Sequence, residues 1–192
     1  MNETIKLGLV LLLVTAVAGG ILAGVNSITA PVIAERENQE KFASLLEIFA
    51  EANEFIEFES SDLSSIQTSY PSIVSITEVK NNGVELGYAI TTKTGGYAGD
   101  ITALTGINTD GTIAGMKVLV MTETAGLGSR IVDDPSFAES FEGKGVGGSV
   151  TPAGAGASEN EVMMLSGATV STNAVVKGVN EALNAFSNSL AN

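Results

Sequence analysis

Apolar positions change their spacing twice along this chain. From Leu7 to Val25 they run almost without a break, and no charged residue occurs between Lys6 and Glu35. As a helix, ~19 residues cover ~28 Å at ~1.5 Å per residue, close to the ~30 Å hydrocarbon core of a bilayer. The run predicts a retained membrane anchor. The rival reading is a cleaved signal peptide, because Ala16-Val17-Ala18 has the form of a cleavage site. Apolar character that continues past Ala18 favours the anchor. Gly8, Gly19, Gly20 and Gly24 would let another helix approach closely. Lys6 lies on one side, Arg36 and Lys41 on the other, so the positive-inside count leaves the orientation open. Pro31 marks either the end of the anchor or the start of a new helix.

From Val32 to Phe58 the pattern is helical, with Phe42, Leu45, Leu46 and Phe49 at i, i+3, i+4 and i+7. Ser60 to Pro71 reads as a loop. The period then shortens to that of strands. Ile73 to Lys80 is rich in β-branched residues, Asn81-Asn82-Gly83 makes a hairpin turn, and Val84 to Thr92 returns. Ile101 to Ile107 and Ile113 to Met121 form a second pair around Asn108-Thr109-Asp110-Gly111. A short helix-like stretch passes through Phe137 and Phe141. Gly143 to Gly156, rich in Gly, Ala and Ser, reads as a flexible surface loop. Ser171 to Leu190 predicts a last amphipathic helix, with Val175, Val179, Leu183, Phe186 and Leu190 on one side. The pattern predicts an α+β protein: a single N-terminal transmembrane helix within residues 1–30, then one domain over 31–192 with an antiparallel sheet and flanking helices.

Composition narrows the chemistry. The chain has 192 residues and a net charge of −13. Such a surface repels nucleic acid, whose phosphates need Lys and Arg. It is also repelled by anionic lipid except where an apolar segment forces contact. His and Cys are both absent, so haem, iron–sulfur and blue-copper centres lack their usual protein ligands and no disulfide forms. Electron chemistry would therefore need an organic cofactor.

Two segments carry the candidate chemistry. Ser166-Gly167-Ala168-Thr169 stands directly before the last helix, where unpaired N–H groups at a positive dipole end suit a phosphate. An ordinary Ser/Thr N-cap has the same form. Thr122-Glu123-Thr124-Ala125-Gly126-Leu127-Gly128 is a second Gly-containing stretch, and Thr94 to Gly99 is a Gly-Tyr loop around Tyr97.

The order of anchor, Gly-Tyr loop, T-E-T-A-G-L-G and S-G-A-T resembles the RnfG family, the FMN-binding subunits of the Rnf ion-translocating electron-transport complex. A relative of that family is the FMN-bearing NqrC component of the sodium-translocating NADH:quinone reductase. The resemblance runs over nearly the whole chain. It implies that a flavin transferase esterifies the phosphate of FMN to the Thr169 hydroxyl. It also implies that the flavin relays electrons in a membrane complex coupling ferredoxin:NAD⁺ redox to Na⁺ or H⁺ transport, with the domain on the extracytoplasmic side. Other integral membrane and redox subunits of the complex, and membrane lipid, would be its neighbours. The quinone-reductase component is usually longer than this chain and is the alternative. Two positions depart from the family pattern: Met163 stands where Asp is common, and Ala125 where Pro is common.

The residues fit that implication chemically. A phosphodiester at Thr169 would meet backbone N–H groups, with hydroxyls of Ser166, Ser171 and Thr172 as further donors and Gly167 and Ala168 in the same turn. Leu127 is the candidate apolar wall for the ring system, with core packing as the equal alternative. Glu123 is expected to fix its loop by accepting backbone hydrogen bonds, and Thr124 and the Gly126 N–H to reach the ring's polar edge. No G-x-G-x-x-G fingerprint is present, so the protein is not expected to turn over NADH alone. Three other classes compete: an anchored non-catalytic binding domain, a soluble substrate-binding protein, and a Ser/Thr hydrolase. The hydrolase lacks a His base, and Lys177 lies two turns beyond Thr169.

Overall fold

A computed structural model describes residues 3–145, 147–154 and 159–191. The chain divides into two compact units, Met1–Glu40 and Lys41–Asn192. In the first unit the expected anchor is helical throughout its described residues. It belongs to helix α1, Glu3–Ile48, which runs through Pro31 without ending. Its apolar side chains are uncovered on every side, Leu7 and Leu22 at 70% exposure and Ile28 at 72%. A helix that is apolar all round and unburied is at home in lipid rather than water. It is long and apolar enough to cross a membrane once.

The second unit is built on an antiparallel meander. Its strands are β1 (Glu54–Glu57), β2 (Ile73–Asn81), β3 (Val84–Gly95), β4 (Asp100–Asn108) and β5 (Ile113–Val120), and they lie side by side in chain order. The β2–β3 turn has Asn82 at φ +50 and Gly83 at φ +78, the positive pair that a tight right-twisting hairpin requires. The Asn53 side chain pins this turn by accepting from Asn82 N at 3.0 Å.

Both faces of the sheet are covered. On one, helix α5 (Thr169–Ala185) packs against β3 and β4 and buries Val175, Val179, Ala182 and Leu183. On the other, Leu45 and Phe49 join Val79, Ala89 and Leu104 in a smaller cluster. Gly106 and Gly115 are cross-strand partners, and they make room for this second layer. A Cβ on Gly106 would stand 2.4 Å from Ile48 Cγ2 and 2.9 Å from the Phe49 ring.

Several expectations are corrected here. The helical pattern over Val32–Phe58 stops at Ile48, and Glu54–Glu57 is strand β1, paired with β2. The four-residue stripe is split: Leu45 and Phe49 are buried, whereas Phe42 is 52% and Leu46 41% exposed. Phe42 instead meets Phe55 of β1 edge to face at 5.4 Å. Ser60–Pro71 is mostly helix α2 (Ser60–Ser69), held by the single buried Ile66. Short helices α3 (Arg130–Asp133) and α4 (Pro135–Glu139) form the stretch around Phe137. Within the expected loop Gly143–Gly156, Thr151–Pro152 is a strand, β6, pairing in parallel with β7 (Glu161–Val162). Residues 146, 155 and 156 of that loop lie outside the described residues. The last helix starts at Thr169, and its final turn, Phe186–Leu190, is π-helical.

Candidate functional site

Thr169 is the first residue of α5. The preceding residue, Ala168, is the N-cap, at φ −124 and ψ 31, and no side chain caps the helix. Ala168 is held from below: it is 3% exposed and its N–H donates to Leu165 O at 3.0 Å. Its carbonyl takes the first intrahelical bond, from Thr172 N at 2.8 Å. The N–H groups of the first turn, uncapped by any side chain, point out of the helix end beside the exposed Thr169 and Val170. Gly167, at φ +82, makes the turn that brings the chain to this start.

The T-E-T-A-G-L-G stretch folds into a second turn against it. Leu127 N and Ser129 N both donate to Thr124 O, at 3.1 and 3.2 Å. The Gly126 N–H, expected to reach a ring edge, donates to Ser129 Oγ at 2.8 Å and is spent inside the turn. Leu127 is left 52% exposed, which decides against ordinary core packing. Arg130 joins the two motifs: its Nη1 donates to Ser166 O at 3.0 Å, and its Nη2 lies 3.7 Å from Asp134.

Glu123 ties in a third segment. One carboxylate oxygen accepts from Tyr97 N at 2.8 Å and Ala98 N at 3.2 Å. The other accepts from Ser171 Oγ at 2.8 Å. Glu123 therefore fixes a loop by accepting backbone N–H groups, but the loop is the Gly-Tyr loop rather than its own. Ser171 spends its hydroxyl proton on Glu123 instead of offering it to a phosphate. Thr172 is fully buried, and its hydroxyl does not reach the surface. Gly96 permits this arrangement, because a Cβ there would stand 2.2 Å from Glu123 Oε1.

The three segments enclose a cleft of about 340 Å³. Glu123, Thr124, Leu127, Gly167, Ala168, Thr169 and Ser171 line it, while Ser166 and Gly126 do not. Tyr97, Gly128 and Val170 also line it, and none of these was singled out as a contact from the sequence. The signal for Tyr97 was available: an aromatic flanked by Gly residues in a loop between two strands. Tyr97 is 75% exposed although its backbone N–H is held by Glu123.

The matches to known proteins fall on the same segments. A family model described as an FMN-binding domain matches residues 96–184, from the Gly-Tyr loop to the end of α5. A model of the RnfG N-terminal region matches residues 1–48. The G component of the Na⁺-translocating ferredoxin:NAD⁺ oxidoreductase complex of Acetobacterium woodii is 31% identical over 191 residues, covering 95% of this chain and 91% of that protein. Its counterpart in the proton-translocating ferredoxin:NAD⁺ oxidoreductase complex of Clostridium ljungdahlii is 26% identical, covering 87% and 83%. Among solved structures, the C component of the Na⁺-translocating NADH-quinone reductase from Parabacteroides distasonis superposes with a TM-score of 0.52. At 18% identity over 71% of this chain and 76% of that one, it speaks for the fold alone. On sequence, extent and fold together, the chain belongs to the RnfG family of ion-translocating oxidoreductase complexes, and it carries that family's FMN-binding domain.

Proposed function

We propose that this chain is the flavin relay of a membrane ferredoxin:NAD⁺ oxidoreductase complex coupled to Na⁺ or H⁺ translocation, with FMN esterified to Thr169 by a flavin transferase. The observation that carries the reading is Thr169 itself. An exposed hydroxyl is the first residue of a 17-residue helix, it lines a cleft, and no side chain caps the helix. An anionic phosphodiester is the natural occupant of such an end.

The cleft suits the rest of the group. Tyr97, Leu127 and Val170 offer an apolar surface for the ring system, and Thr124 offers a polar contact. Glu123 holds the Tyr97 loop in place and keeps Ser171 turned away from the phosphate. Arg130 fastens the Ser166–Gly167 turn and so sets where Thr169 emerges. Bound FMN would supply one- and two-electron transfer that the side chains cannot. An ester bond keeps the group on a cleft whose lining residues Tyr97, Leu127 and Thr169 are exposed to solvent. The relay role fits a sequence that carries no nucleotide-binding fingerprint, and we place the domain on the extracytoplasmic side because the family resemblance implies it.

The test is Thr169→Val, which removes the hydroxyl at near-constant shape. Flavin fluorescence on a denaturing gel should vanish while the circular dichroism spectrum and melting temperature hold. Peptide mass spectrometry that finds FMN on Ser166, Ser171 or any other residue would sink the assignment. Rapid NADH oxidation by the purified chain alone would sink the relay.

A further inference from the structure

A second groove, also of about 340 Å³, shares no lining residue with the first cleft. It runs along β5, the terminal strand of the sheet, where α3 and α4 rather than another strand are the neighbours. Ile48, Met116, Val118, Ile131 and Val132 give it an apolar floor, and Val132 is 49% exposed. Its rim is acidic, with Glu47, Glu139 and Glu142. The lining cation, Lys117, is already paired with Glu47. Among the described residues Glu139 and Glu142 form no salt bridge.

We propose that this groove seats a basic, apolar-sided segment of a neighbouring protein in the complex. Charge complementarity selects the occupant. Two carboxylates at the rim attract Lys or Arg, and the apolar floor favours aliphatic side chains over a hydrated ion. A second copy of this chain, at a net charge of −13, is a poor occupant. Anionic lipid is disfavoured by the same sign. The groove also reaches the first cleft through one short element. Leu127 and Gly128 line the flavin cleft, Ile131 and Val132 line the groove, and Arg130 between them holds Ser166 O. A segment seated here bears directly on the turn that positions S-G-A-T. The proposal does not rest on where the flavin is attached.

The test places a photoreactive amino acid at Val132 in the full complex in its native membrane, with the exposed Asp62 of α2 as the control position. Irradiation should give a product whose peptide, read by mass spectrometry, carries Lys or Arg beside apolar residues of another protein of the complex. Glu139→Lys combined with Glu142→Lys should cut its yield about tenfold. If that variant fails to fold by circular dichroism, Glu139→Gln with Glu142→Gln replaces it and should lower the yield severalfold. Cross-linking only to a second copy or to lipid overturns the proposal. So does a yield no higher than at Asp62, or one unmoved by the loss of both carboxylates.

Discussion

The two ends of α5 serve opposite purposes. At its C-terminal end the chain passes into the π-helical turn Phe186–Leu190, with Phe186 4% and Leu190 9% exposed. The Phe186 ring lies 5.9 Å from that of Tyr88, and the Tyr70 hydroxyl donates to Asn184 O at 3.3 Å while accepting from Asn188 Nδ2 at 2.8 Å. At its N-terminal end Thr169 and Val170 are exposed, the cap is an alanine, and the nearby partners are polar. One helix is closed where it contributes stability and open where the proposed phosphodiester would sit. An N-cap side chain would satisfy the first-turn amides, and it would compete with an anion for them.

Truncation at the closed end should show the largest effect on folding. Phe186→Ala removes a buried ring and is expected to cost about 3–5 kcal/mol. Chemical denaturation should show the midpoint fall, while flavin per folded molecule stays unchanged. A loss of flavin in the still-folded fraction would mean that the two ends are coupled and the contrast is false.

A smaller effect is expected from the clamp at the open end. Glu123→Ala leaves the N–H groups of Tyr97 and Ala98 and the Ser171 hydroxyl without their acceptor. About 1–2 kcal/mol of stability should go, because the site is half exposed and water replaces part of the loss. Hydrogen exchange should speed at Tyr97 and Ala98 well before it does in β3 and β4. Uniform acceleration across the sheet would show that Glu123 belongs to the core rather than to the cleft.

These two ends also differ in how readable they are from sequence. The closed end is legible because Val175, Val179, Leu183 and Phe186 repeat at helical spacing. The sheet is legible because strand period and an Asn-Gly turn agree. Helix α2 is not, since Ser60–Ser69 offers only Leu63 and Ile66 as apolar positions and its formation depends on Ile66 finding the core. Strand β1 is hidden because Glu54–Glu57 alternates too briefly to break a helical reading, and its pairing with β2 decides the matter. At the open end the two motifs are visible as strings. Their meeting is not, because a carboxylate at position 123 reaching amides at 97 and 98 leaves no mark in local spacing.

Capping the open end tests the trade directly. Ala168→Ser puts a hydroxyl where no side chain now caps α5. Stability should rise by about 0.5–1 kcal/mol, at the low end for a new cap because Ala168 is buried. Flavin incorporation should fall at the same time, which timed in-gel fluorescence after induction would reveal. Higher stability with unchanged incorporation would show that the free amides matter only to the fold.

The last effect is absent at neutral pH and emerges only in alkali, at the closed end. Burial pushes the Tyr88 hydroxyl up from 10.0 to about 12, and the carboxylates of Glu85 and Glu78 add to the shift. The folded chain therefore holds this proton more tightly than the unfolded one. The stabilisation is complete below pH 10 and drains away as the pH rises toward about 12. Other groups titrate in the same window, so the informative quantity is a difference. Urea midpoints of the parent and of Tyr88→Phe should change by different amounts between about pH 9 and about pH 11.5, with the parent losing more. Tyr88 packs against Phe58 and Phe186, far in chain and function from Thr169. Covalent flavin should thus be unaffected by Tyr88→Phe at neutral pH. Parallel alkaline slopes for the two proteins would mean that the Tyr88 hydroxyl is not held protonated by the fold, and that the closed end is wetter than its packing implies.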